Sequence, residues 1–178
     1  LLKTQKSQDV YWNQSLSWLF VQQKEYGKAF VQEKAVYKRN PESFYNIVTL
    51  ARLAIEEKQN EDATTILTFV LENTQDLELQ MQAHHFLLSM EIESALQKEY
   101  ATIDLKLQDL LKKYGISPYS LDLQILSAHF KTFYLNQSKL GIELLQNALK
   151  LPLNLREQAE VKMELADIMV YDEKFNQA

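Results

Sequence analysis

Residues 26–41, Tyr-Gly-Lys-Ala-Phe-Val-Gln-Glu-Lys-Ala-Val-Tyr-Lys-Arg-Asn-Pro, decide how the rest of the chain is read. Tyr26, Ala29, Phe30, Glu33, Val36 and Tyr37 recur at spacings of three and four, so a helix would place them on one face. Asn40-Pro41 then stops that helix. Proline has no amide proton to donate and disfavours helical geometry at the residue before it.

Working outward, the same design returns. A helix from Val10 to about Lys24, with Asp9 as its N-cap and Leu16, Ser17 and Phe20 as its packing stripe, precedes the quoted stretch. Leu1–Gln8 reads as the end of an earlier helix or a frayed terminus. Glu42–Lys58 is a helix with Ile47, Leu50, Ala51 and Ala54 on one side, followed after a polar break by one carrying Ala63, Ile66, Leu67, Val70 and Leu71. Leu77–Gln97 has Ala83, Phe86, Leu87 and Met90 as its best stripe. Its partner, Tyr100–Tyr114, ends at Gly115-Ile116-Ser117-Pro118. Pro118–Leu135 and Lys139–Lys150 form a fourth pair, closed by Leu151-Pro152. Asn154–Tyr171 starts a fifth, whose second helix would begin at Glu173. All three prolines, Pro41, Pro118 and Pro152, fall between successive pairs. Inside a helix each would cost roughly 3 kcal/mol or more.

Composition agrees with an all-α chain. The 178 residues include only three glycines and three prolines, with 46% hydrophobic residues, so turns are few and short. No apolar run of about 18 residues is present, so no membrane span is expected. The absence of cysteine excludes disulfides and thiol chemistry. A net charge of −5 argues against a nucleic-acid partner, which calls for a basic stripe. No targeting motif is visible, and a soluble protein of the cytoplasm or periplasm is expected. The start at Leu1 and the end at Ala178, in what reads as a first helical turn, suggest a fragment of a longer protein.

Small residues at the start of each second helix set the period. Ala29 and Ala63 lie 34 residues apart; Ile103, Gly141 and Ala178 follow at intervals of 40, 38 and 37. A helix–turn–helix unit of 34 residues resembles the tetratricopeptide (TPR) repeat. The residues that carry the resemblance are Leu16-Ser17-x-x-Phe20, Tyr26-x-x-Ala29, Val36 and Pro41 in the first unit. Leu50-Ala51-x-x-Ala54, Asn60-x-x-Ala63 and Val70 carry it in the second, and Leu165-Ala166-x-x-Met169 with Phe175-x-x-Ala178 in the last. The third unit keeps Tyr100 and Leu110, and the fourth keeps Gly141, Leu145 and Ala148. The usual early tryptophan of the family is replaced by Asn13 and Ile47. The resemblance implies an all-α, right-handed α-solenoid of antiparallel helix pairs in about five units, the last incomplete. The units are 10–43, 44–76, 77–117, 118–153 and 154–178, in a single repeat domain. Each two-helix unit cannot bury its apolar faces alone, so stacking supplies the core. Ala29, Ala51, Ala63, Ala166 and Gly141 would allow close helix approach.

Such a fold implies a scaffold that binds a protein or peptide segment in a groove lined by first helices. The residues expected there are Tyr11, Gln14 and Trp18; Tyr45, Val48, Arg52 and Ile55; His85, Leu88 and Ile92; Phe130 and Tyr134; and Met163 and Tyr171. Asp167, Leu123, Leu126 and Phe133 belong to the same faces. Aromatic anchors there suit an apolar or amphipathic peptide. The opposing reading makes the same residues core, most seriously in the fourth unit, where Leu126, Phe130 and Phe133 form the strongest stripe. A cationic clamp for a carboxylate tail is not expected, since Arg52 is the one cation among Gln14, Trp18, Val48 and Arg52. His84 and His85 point about 100° apart on a helix and cannot readily share a metal. With no nucleophile–base motif, phosphate loop or zinc signature, neither enzyme activity nor a cofactor is expected. The alternative function is a structural or regulatory repeat segment of a larger bacterial protein that mainly self-associates.

Overall fold

The computed structural model describes residues 2–39 and 44–176, with side chains from residue 9 to 39 and 46 to 173. All regular structure among these residues is helical. The helices are α1 (Leu2–Gln22), α2 (Tyr26–Tyr37), α3 (Phe44–Glu56), α4 (Asn60–Asn73), α5 (Leu77–Ser94), α6 (Tyr100–Tyr114), α7 (Leu121–Phe133), α8 (Ser138–Ala148) and α9 (Leu155–Asn176). Short 3-10 turns at Gln97–Glu99 and Pro118–Ser120 lead into α6 and α7. No described helix is long and apolar enough to cross a membrane.

Local chemistry accounts for most boundaries. Asp76 opens α5 by accepting hydrogen bonds from the amides of Glu78 and Leu79 at 2.9 and 3.2 Å. Asn154 does the same for α9, accepting from Arg156 and Glu157, while Glu157 accepts from the Asn154 amide. Gly115 ends α6 in the left-handed region, φ 77°, where a Cβ would be strained. Lys24 and Lys58, 34 residues apart, also have positive φ, 58° and 61°. They follow α1 and α3, which close with the same amide-to-carbonyl bond, Glu25 to Phe20 and Gln59 to Ala54. The break at Pro41 lies outside the described residues.

Two expectations about helix ends are corrected. Asp9 is not an N-cap: α1 runs unbroken from Leu2, and Asp9 sits within it, 3.8 Å from Arg39. The polar start holds no glycine or proline to interrupt a helix. Nor does a second helix begin at Glu173, because α9 continues to Asn176 and nothing between Tyr171 and Asn176 breaks it. Ala178 lies outside the described residues.

The chain divides into two compact units, with the boundary between Leu87 and Leu88 inside α5. In the first, α1 packs on α2, α2 on α3 and α3 on α4, and α2 also touches α4. Its core includes Tyr26, Ala29, Phe30, Val36, Ile47, Leu50, Ala51, Ala54, Ala63, Ile66, Leu67 and Val70, all buried. Phe69 meets Phe30 and Tyr37 edge-on, and the Lys34 ammonium lies over Phe30 and Phe69. Gly27 permits the close approach of α4: its amide donates to Asp62 Oδ2 at 2.9 Å, and a Cβ there would stand 2.7 Å from Asp62 Oδ1.

In the second unit α6 packs on α7, α7 on α8, α8 on α9 and α7 on α9. Leu121, Ala128, Leu145, Ala148, Leu153, Val161 and Ile168 form its core. Gly141 on α8 faces Ala128 and Thr132 of α7, with room for no side chain. Leu16 and Ala166, expected to pack, are exposed. The stripe of α1 turns toward Ser17, and α9 buries Val161 and Ile168 instead.

Hydrogen bonds inside each unit link residues 33 to 35 positions apart. In the first, Lys24 pairs with Glu57, Gly27 with Asp62, and Gln59 with the Lys24 carbonyl. In the second, His129 pairs with Glu164, Ser138 with Asp172, and Tyr171 with Asn136. Separations of 33 to 35 residues recur in both.

Candidate functional site

In the first unit α1, α2 and α3 line a cavity of about 300 Å³ that is open to solvent. From α1 it is lined by Gln14, Ser17, Trp18 and Val21, from α2 by Glu33, and from α3 by Asn46, Thr49, Leu50 and Leu53. Trp18, Val21, Leu50 and Leu53 make apolar walls, and Glu33 supplies a carboxylate. A second, more open depression of about 450 Å³ runs along α1 over Tyr11, Gln14, Ser15, Trp18 and Leu19. Gln14 and Trp18 belong to both. Tyr11 and Trp18 are 65% and 61% exposed. The Tyr11 and Trp12 rings meet edge-on at 6.0 Å.

Glu33 is only 8% exposed, and its Oε2 atom is buried without a hydrogen-bond partner. No ion pair among the described residues involves it. Burying a carboxylate without compensation is costly, so this atom stands out in an otherwise apolar stripe. The signal was legible in the sequence as an acid at the fourth position of the face Tyr26, Ala29, Phe30, Glu33. Other charges in this unit sit closer to solvent. Glu57, through a hydrogen bond and its charge, raises the Lys24 ammonium above its ordinary range.

Of the expected groove residues, Tyr11, Gln14 and Trp18 come together on one face of α1. On α3 the cavity is lined one residue out of the expected phase, by Asn46, Thr49, Leu50 and Leu53. Val48 is buried, Ile55 is half-buried and Arg52 is exposed, 3.8 Å from Glu56. The side chain of Tyr45 lies outside the described ones. Leu88, Ile92 and Phe130 are also buried, which removes them and Val48 from any binding surface. The reason is direct for Phe130: its ring is stacked on Tyr134 at 5.1 Å and meets Tyr100 edge-on at 5.6 Å. Tyr100 and Tyr134 also meet, at 5.3 Å, so Tyr134 completes an aromatic cluster. His85 is half-buried and lies against Phe86. Met163 is 70% exposed on α9. Tyr171 donates to Asn136 Oδ1 at 3.1 Å and meets Phe133 edge-on.

In the second unit a depression of about 310 Å³ with a mixed polar and apolar lining lies at the α7–α8 turn and α9, lined by Asn136–Leu140, Tyr171 and Asp172. His129 Nδ1 lies 2.9 Å from Glu164 Oε1. No group of three metal-ligating side chains occurs among the described residues.

Comparison of the chain with protein-family models, with curated proteins and with solved structures finds no match in any of the three.

Proposed function

We propose that this chain is an array of tetratricopeptide-like helix pairs that binds a peptide or protein segment along α1 and in the cavity between α1 and α3. The observation that carries this reading is the exposure of Tyr11 and Trp18 beside a preformed cavity. Large rigid aromatic groups left in water next to a hollow are the kind of anchors that dominate binding energy. Hydrogen bonds between residues 33 to 35 apart support the repeat reading. So do the matched left-handed residues Lys24 and Lys58.

Selection from a displayed random-peptide library tests it. The wild-type chain is expected to enrich a consensus, and Trp18→Ala with Tyr11→Ala is expected to weaken the enriched peptides about tenfold or more. Circular dichroism would verify that the variant keeps its helix content. No consensus, or one that binds the double variant equally well, removes the reading.

A second reading, self-association, is favoured by the apolar side chains that α9 leaves in solvent, Met163, Met169 and Val170. Light scattering over a range of concentrations tests it; a constant monomeric mass rules it out.

A further inference from the structure

We infer that the cavity between α1, α2 and α3 is a subsite for an alkylammonium group, such as a lysine-type side chain of a bound segment, with Glu33 as its counter-ion. This deepens, and rests on, the peptide-binding reading. Three observations meet here. Glu33 is more than nine-tenths buried, and its Oε2 atom has no partner. It lines a cavity rather than solid core. The same cavity has apolar walls, Val21, Leu50 and Leu53, and an indole, Trp18.

Each feature selects for one part of the ligand. The carboxylate calls for positive charge, because a buried anion gains most from a partner that neutralises it and donates hydrogen bonds. Val21, Leu50 and Leu53 suit a short methylene chain, which a bare ion would leave uncovered. The Trp18 ring can add cation–π attraction. Glu33 is the one carboxylate in the lining, which holds no histidine, and no group of three metal-ligating side chains occurs among the described residues. At about 300 Å³ the cavity is at the small end of ligand pockets, which run from about 300 to 1,000 Å³, so it fits one side chain and not a whole peptide.

The test uses butylammonium as the probe and butan-1-ol as its neutral counterpart, each titrated into the full chain labelled with ¹⁵N. Butylammonium is expected to give saturable shifts of the Trp18 indole and the Glu33 amide. Butan-1-ol should bind about tenfold more weakly, and Glu33→Gln should weaken butylammonium by about the same factor. Equal binding of the two probes by the wild-type chain overturns the proposal without recourse to any variant. Absence of saturable shifts also overturns it, as does unchanged affinity in a folded Glu33→Gln variant. The two readings fail separately. If no peptide is selected but butylammonium binds through Glu33, the subsite stands and the peptide groove falls. If peptides bind through Trp18 while butylammonium ignores Glu33, the groove stands and the subsite falls.

Discussion

Lys131 Nζ lies 2.7 Å from Asp104 Oδ1, tying α7 to α6, and both side chains are largely withdrawn from water, at 11% and 16% exposure. Gln108 also donates to Asp104, at 2.6 Å, so the carboxylate is held from two sides. In the second unit this pair differs from the others, whose members stand further into solvent.

Removing one partner strands the other. Lys131→Met is expected to cost about 1–3 kcal/mol, because it leaves the partly buried Asp104 carboxylate without its counter-ion and with Gln108 as its remaining side-chain donor. The double variant Asp104→Leu, Lys131→Met should recover part of that loss, since no charge is then left behind. Urea unfolding followed by circular dichroism measures both. A single variant within about 0.5 kcal/mol of wild type would show that the pair does not support the fold.

In the first unit, Gly27 and Asp62 make the matching link between α2 and α4. Asp62→Ala leaves a first-turn amide of α2 without its acceptor and is expected to cost about 1–2 kcal/mol. Gly27→Ala should cost about 1–3 kcal/mol, through the clash of the new methyl with the Asp62 carboxylate. Combined, the two should cost less than their sum, because removing the Asp62 carboxylate makes room for the methyl. Strict additivity would show that the two residues act independently.

Lys58 tests the turn geometry. Its φ of 61° is strained for a residue with a Cβ. Lys58→Gly is therefore expected to raise stability by about 0.5–1 kcal/mol, and the β-branched Lys58→Val to lower it by at least as much. Thermal melting gives the sign directly, and a lower midpoint for the glycine variant would contradict the geometry.

Phe130 separates core from surface. Phe130→Ala is expected to cost about 3–5 kcal/mol, as for other buried aromatic residues. Trp18→Ala, at an exposed position, should stay within about 0.5 kcal/mol of wild type. Denaturant midpoints compare the two, and similar losses at both sites would mean that Trp18 is itself a packing residue.

Much of the helical framework could be read from residue order alone. Breaks at Lys58–Asn60, Gly115–Pro118 and Leu151–Pro152 end or begin helices because backbone geometry and missing donors act locally. Ala29, Ala63, Ile103 and Gly141, matched in the sequence as equivalent residues at helix starts, are all buried near the beginnings of α2, α4, α6 and α8. The candidate site was partly legible: Tyr11, Gln14 and Trp18 share one face of α1 because the helical period puts them there.

What tertiary structure alone decided is which of two apolar faces each helix buries. Successive residues on a helix are about 100° apart, so a slip of one position exchanges Val48 for Thr49 at the cavity and moves the expected groove residue into the core. Phe130 was just as ambiguous, until the rings of Tyr100 and Tyr134 enclosed it. Order along the chain also placed Glu33 on a packing face. Only the approach of α1 and α3 made Glu33 line a hollow while its Oε2 atom is buried without a partner, because a cavity belongs to the helices around it and to none of them singly.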